Sequence, residues 1–254
     1  VLFNGQVYPS NQLPRSYLPT LLALTLTEPV WPLVVLGIGV GGVRFWQRRL
    51  EWRSFILICL WLILPLGYVL LRRPPMYDGY RHFLFLVPPL FLLAGLGLDA
   101  LLVWLRPLWL RLGLGLLILA PGIFALVRLH PYPYTYYNAF IGGVGGAFRR
   151  YETDYWLTCY KETLRLINQE AQGHAVTLFA LRQPQIARRY AAANVTVEGF
   201  DPDNDMTFPG SLLLLTTRYN QDQTHHPQHP VRYQVGRAGA LFCVVKTVEG
   251  MLSP

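Results

Sequence analysis

The sequence predicts a membrane all-α helical bundle of about four transmembrane helices, followed by a small extracytoplasmic α/β domain. Three observations lead there. The 254 residues are 52% hydrophobic and only 14% charged, against about a quarter charged in an ordinary soluble domain, and the mean hydropathy is +0.28. The shortage of charge is local: Val30 to Val127 is sparsely charged, whereas Arg149 to Pro254 has the polar balance of a water-soluble chain. The first half also holds apolar runs near the roughly 20 residues that cross a bilayer as a helix. The expected division is therefore residues 1–148 and 149–254.

The first span is expected at Val30 to Phe45, preceded by an apolar segment, Tyr17 to Leu26, that can lie along the membrane interface. Thr27-Glu28-Pro29 separates the two, and proline suits the first position of a helix. Further spans are expected at Ser54 to Leu71, Phe83 to Leu105 and Leu108 to Val127. Pro65, Pro88, Pro89 and Pro121 fall within these runs, which membrane helices tolerate better than soluble ones. In the second half, Tyr155 to Glu170 has helical spacing, Ala175 to Ala180 and Ser211 to Thr216 read as strands, and Pro184 to Ala192 reads as a helix. Val231 to Val235 and Ala240 to Val248 suit a closing hairpin, with loops at Asp201 to Asp205 and Asn220 to Pro230.

The formal charge is +8 and the isoelectric point about 9.6. Much of the arginine sits in short loops between apolar runs, where it sets orientation or meets lipid head groups. No RNA-binding or zinc-finger pattern accompanies it, which sets nucleic acid aside and leaves membrane lipid as the partner. Arg44, Arg48, Arg49 and Arg53 crowd one loop, and Arg106 and Arg111 flank another; the excess of cations places both on the cytoplasmic side. The chain is thus expected to be a multi-pass protein of the cytoplasmic (inner) membrane, its second half outside. The loop with Arg72, Arg73 and Arg81 then also lies outside, against the trend, either as an ordinary exception or because those arginines have a task there. Cys159 and Cys243 fall in the second half and either pair, if that half meets an oxidising compartment, or stay as buried thiols. Cys59 lies in an apolar run and reads as packing.

Chemistry concentrates in two segments. Arg72-Arg73-Pro74-Pro75-Met76-Tyr77-Asp78-Gly79-Tyr80-Arg81-His82 runs straight into the third span. It sets arginine, histidine, tyrosine and aspartate where an anionic head group would sit, and the planar donor fork of arginine matches phosphate oxygens. An interfacial anchor of Arg and Tyr would look the same. After the fourth span, His130-Pro131-Tyr132-Pro133-Tyr134-Thr135-Tyr136-Tyr137-Asn138 forms an aromatic shelf, suited to a polyprenyl chain or sugar ring and equally to an ordinary aromatic belt. Arg15, in Pro14-Arg15-Ser16-Tyr17-Leu18-Pro19, falls on the same side by topology. The glycines at 142, 143, 145 and 146 do not form a phosphate-cradling loop, since no strand precedes them and no Lys-Ser or Lys-Thr follows. His225, His226 and His229 cluster without a patterned carboxylate or cysteine, so no metal site is assigned. Asn194-Val195-Thr196 is a glycosylation sequon.

Tyr77-Asp78-Gly79-Tyr80-Arg81-His82-Phe83-Leu84-Phe85, with Pro88-Pro89 and Ala94-Gly95-Leu96-Gly97, resembles a segment of bacterial GT-C membrane glycosyltransferases of the dolichyl-phosphate-mannose–protein mannosyltransferase-like group. Leu13 to Pro19 resembles their stretch before a late membrane helix. His130-Pro131-Tyr132 with Tyr136-Tyr137-Asn138, and Asp154-Tyr155-Trp156 with Tyr160-Lys161-Glu162, resemble the exit into their extracytoplasmic tail. The likeness covers about residues 2 to 170.

It implies an inverting enzyme that moves a sugar from a polyprenyl-phosphate donor to an acceptor, with a carboxylate base in an early outer loop and often a divalent metal. Nothing here matches that loop. The chain is therefore expected to be the carboxy-terminal half of a longer protein, with no catalytic residue assigned within it and the base upstream of Val1. Arg81, His82, Tyr77 and Asp78 would hold the donor phosphate, and Arg15, His130, Tyr132, Tyr136, Tyr137 and Asn138 would contact lipid or sugar. A non-catalytic membrane scaffold or lipid-binding subunit with an extracytoplasmic interaction domain is the alternative. A transporter ranks below both, because the spans show almost no intramembrane charge.

Overall fold

A computed structural model describes residues 1–48 and 51–249; Arg49, one of the loop arginines, lies outside the described residues. Its contacts divide the described residues into two units, one of Val1 and residues 8–143, the other of residues 2–7 and 144–249. The first is helical and the second is a small α/β domain.

The helical unit begins with α1 (Tyr17–Thr25) and α2 (Val30–Trp46). Pro29 caps α2 with a helical φ of −63°, as its fixed ring favours. The two helices turn through 108° at the break and are long and apolar enough for one span only as a pair. Then come α3 (Trp52–Arg72), a tight 3₁₀ turn over Arg81–Leu86, α4 (Val87–Trp104) and α5 (Leu108–Leu129). Three stretches, Trp52–Arg72, Arg81–Trp104 and Leu108–Leu129, are each long and apolar enough to cross a membrane. Pro65 and Pro121 are interior to helices, as expected. Pro88 and Pro89 are not: they fall in the first turn of α4, where the missing N–H groups would have had no helical partner anyway.

Two of these helices make the tight packing of the unit. Gly37 of α2 lies against Leu93 and Gly97 of α4, so close that a Cβ at residue 37 would stand 1.7 Å from the Leu93 carbonyl oxygen. A Cβ at residue 97 would stand 2.2 Å from the Leu33 oxygen. Small residues let backbones approach in this way, which is how apolar helices associate where no hydrophobic effect drives them. Leu26, Val30, Leu33, Val34, Leu90, Leu93 and Ala94 pack around the contact. At the far end Arg44 pairs with Asp99 at 2.8 Å. Asp99 therefore has a partner, and Arg44 is held by it.

The α/β unit opens with a two-residue-turn hairpin, β1 (Leu2–Phe3) and β2 (Gln6–Val7), closed by Asn4-Gly5 with both φ positive, the turn chemistry hairpins prefer. It is missing from the sequence expectation. After α6 (Gly143–Ala147) and α7 (Cys159–Ala171) follow β3 (Val176–Ala180), α8 (Pro184–Arg188), β4 (Val195–Gly199), β5 (Leu212–Thr216), α9 (Gln221–Thr224), β6 (Val231–Arg237) and β7 (Ala240–Thr247). The sheet order is β4-β3-β5-β7-β6, with β3 parallel to both neighbours and the β6–β7 hairpin antiparallel. Every residue of β5 is buried, as in a central strand covered on both faces.

The helix expected from Tyr155 begins only at Cys159, because the Asp154 carboxylate accepts from the Thr158 and Cys159 amides at 3.1 and 2.9 Å and fixes the start there. Leu157, with φ +59°, turns the chain just before it. Strand β4 coincides with the sequon; the Asn194 amide donates to the His174 carbonyl at 2.7 Å. Cys159 and Cys243 form a disulfide that ties the start of α7 to β7, which settles the choice that sequence left open.

Candidate functional site

The turn that feeds α4 carries the candidate site. Met76 is buried and its amide donates to the Ser10 carbonyl at 3.1 Å, pinning the loop. Asp78 and Gly79 follow with φ of +55° and +70°. Aspartate and glycine tolerate this left-handed region better than most residues. The Tyr17 hydroxyl reaches the Gly79 carbonyl at 3.4 Å. This double reversal folds residues 77 to 82 back on themselves.

Four side chains singled out from sequence consequently meet. An Arg81 Nη lies 3.1 Å from Asp78 Oδ2. Arg81 Nε donates to His82 Nε2 at 3.3 Å. The guanidinium carbon stands 5.0 Å from the centre of the Tyr77 ring, within cation–π range, and Tyr77 meets the His82 ring edge-on at 4.9 Å. Asp78 is buried, Arg81 half-buried, and Tyr77 and His82 exposed. The cluster is a guanidinium oriented by a carboxylate beneath it and flanked by two rings at the surface. Such a group can hold an oxyanion: the aspartate fixes the fork, and the rings limit its access to water. Arg72 and Arg73, at the end of α3, are exposed on the same loop and add to the positive potential.

The other expected contacts are arranged differently. Arg15 is exposed before α1 and makes none of the contacts just described. His130 is exposed, Tyr136 half-buried, and Tyr132, Tyr137 and Asn138 are buried. The shelf is therefore not a surface shelf, because Tyr132 and Tyr137 are buried and Tyr134 and Tyr136 half-buried. Asn138 is a structural latch. Its side-chain amide donates to the Ala23 and Leu26 carbonyls at 2.7 and 2.8 Å, and its backbone amide donates to Leu24 at 2.8 Å. Those are the carbonyls that the end of α1 leaves without helical partners. Glu28, treated in sequence only as part of the break, accepts from the Ala139 amide at 2.5 Å and from the Tyr136 hydroxyl at 3.4 Å. Burial, and then the Glu28 charge, push the Tyr136 hydroxyl up to about 12. Its sequence signal was weak: a lone acid between two apolar segments.

In the α/β unit His226 Nε2 lies 3.0 Å from Asp205 Oδ2 and its ring stacks on His229. Among the described residues no group of three or more His, Cys, Asp or Glu side chains is arranged to hold a metal ion. Compared with protein-family models, curated proteins and solved structures, the chain finds no match.

Proposed function

We propose that this chain is the donor-binding part of an integral membrane glycosyltransferase, which passes a sugar from a polyprenyl-phosphate donor to an acceptor on the extracytoplasmic face. The observation that carries the reading is the convergence of Arg81, His82, Tyr77 and Asp78 on one turn at the head of an apolar helix. In the reaction the bond from sugar C1 to phosphate oxygen breaks and a bond from C1 to the acceptor oxygen forms. The acceptor proton passes to a base that the family resemblance locates in another loop. Charge builds on the departing polyprenyl phosphate, and a fixed guanidinium at a membrane surface stabilises it far better than one in bulk water. His82 supplies a further hydrogen bond.

The environment supports the same reading. The most apolar stretch of α5 buries none of its residues, and that of α3 only 6%; lipid solvates such helices, and water does not. Arg44, Arg48, Arg53, Arg106 and Arg111 suit the cytoplasmic side by charge bias, which favours an outside position for the Arg81 turn. The Cys159–Cys243 disulfide suits an extracytoplasmic position for the α/β unit. Asp78, the carboxylate of the cluster, is engaged with Arg81 rather than poised as a base, which agrees with a base carried elsewhere and equally with a lipid-binding subunit.

The test uses the complete protein in liposomes with a polyprenyl-phosphate sugar donor. Arg81→Ala is expected to cut transfer by about tenfold or more, with normal expression, as loss of one transition-state charge stabiliser commonly does. An unchanged rate would remove Arg81 from the site. Donor binding that depends on Arg81, with no transfer to protein, lipid or glycan acceptors, would establish the binding-subunit reading.

A further inference from the structure

The strands β4, β3 and β5 are parallel and lie in that order, so the chain leaves β3 to one side for β4 and returns on the other side for β5. The carboxyl ends of β3 and β5 thus flank a topological switch point, where open α/β sheets receive their ligands. The loops leaving those two ends carry Arg182 and Arg218-Tyr219. Both guanidinium carbons lie 4.8 Å from the centre of the Tyr219 ring. Tyr219 and Asn220 reach this position with φ of +57° and +58°, two consecutive side chains in a region that L-residues seldom adopt.

The charge balance is uneven. Buried Glu152 stands 3.4 Å from Arg218 Nε, while Arg182 donates to the neutral Gln221 side chain at 2.7 Å. Burial, and then the Arg218 charge, hold Arg182 below the usual arginine range. The Glu152 charge favours the Arg182 cation as well, against the repulsion from Arg218, so two guanidinium groups are held around one buried carboxylate. Arg218 also donates to the Tyr155 carbonyl at 3.4 Å, and the next residue, Trp156, is 55% exposed, with its ring 5.9 Å from that of Tyr155.

We propose that the carboxyl ends of β3 and β5 form a second site, which binds an anionic sugar: Arg182 and Arg218 hold its phosphate or carboxylate, and Trp156 stacks on the sugar ring. Paired guanidinium forks suit either anion, and a flat exposed indole suits a pyranose face. The site lies wholly within the α/β unit and does not rest on the Arg81 reading.

The experiment is calorimetric titration of the full chain in detergent micelles with mannose 6-phosphate, glucuronate, inorganic phosphate and unsubstituted mannose. Saturable binding of one or both anionic sugars at millimolar concentration or below, and none of mannose, is expected; which anion binds identifies the charge carried. Arg182→Gln should weaken that binding by about tenfold or more, the usual scale for losing a charged hydrogen-bond donor. Arg218→Gln would strand Glu152 in the interior, so Arg182→Gln and the surface variant Trp156→Ala carry the test. Trp156→Ala should weaken sugar-phosphate binding and spare inorganic phosphate. No saturable binding, or binding indifferent to Arg182→Gln and Trp156→Ala, would overturn the proposal.

Discussion

Reduction of the Cys159–Cys243 bond should destabilise the α/β unit severely. The bond joins residues 84 positions apart, so in the unfolded chain it closes a loop covering most of the unit. The chain-entropy relation for a loop of that length gives about 4.5 kcal/mol at 25 °C. A domain of ordinary stability has only about 5–15 kcal/mol in all, so reduction removes about 30% of it or more. For a unit of this size unfolding in urea has a slope of about 1–2 kcal/mol per molar. The midpoint of the reduced protein is therefore expected roughly 2–4.5 M below that of the oxidised one. Pulse proteolysis across a urea series, with the carboxy-terminal fragment quantified, reads this out without interference from the detergent-bound helices. Both cysteines are fully buried, so a Cys159→Ala, Cys243→Ala double variant adds a small packing loss and should resemble the reduced protein. A midpoint shift under about 0.5 M on reduction would refute the entropy argument. Alkylation of both thiols in native, unreduced protein would refute the bond itself.

Three further outcomes follow from single contacts. Gly97→Ala should push α2 and α4 apart, because the new Cβ meets the Leu33 carbonyl at 2.2 Å; the expected cost is about 1–3 kcal/mol, seen as a lower melting temperature in detergent, whereas Gly95→Ala, with nothing within 4 Å, should be neutral. Asn138→Ala strips donors from the Ala23 and Leu26 carbonyls and should cost about 2–4 kcal/mol in the same assay; an unchanged melt would mean that the latch is dispensable. Burial raises the Asp154 carboxyl above the usual aspartate range, despite the hydrogen bonds it accepts from Cys159 and Thr158. Its folded-state value thus exceeds the unfolded one, so its contribution is fully present below the unfolded value and is lost as pH rises through the folded one. Asp154→Asn, which keeps an acceptor at the cap, should gain stability relative to the parent as pH climbs through that window and hold a constant lead above it; parallel pH profiles would exclude the effect.

The parts of this molecule that could be read from sequence are those set by neighbours along the chain. The apolar helices end within about two residues of the expected spans, because length and hydropathy are local properties. The bend at Pro29 and the β6–β7 hairpin were equally local. The close approach of Gly37 to Gly97 was not: the glycines of α2 and α4 are visible in sequence, but nothing says which of them face each other. Strand β4 leaves little signal in the sequence, because alternating Val195 and Val197 offer only two buried positions beside a conspicuous sequon.

The same distinction separates the two sites. Tyr77, Asp78, Arg81 and His82 fall within six residues, so one tight turn was enough to gather them, and their chemistry could be proposed before their geometry was known. Tyr132, Tyr137 and Asn138 were as close together, yet composition could not tell a surface shelf from a buried latch, since that depends on where α1 ends. Arg182 and Arg218 are separated by a whole β4 crossover. Each alone reads as a solvated cation. Only the strand order, which places β3 beside β5, brings them onto one tyrosine ring, and it does so where the sheet topology opens. A site assembled by topology leaves no motif, which is why the Arg182–Arg218 pair has to be sought from the fold and tested by ligand rather than by pattern.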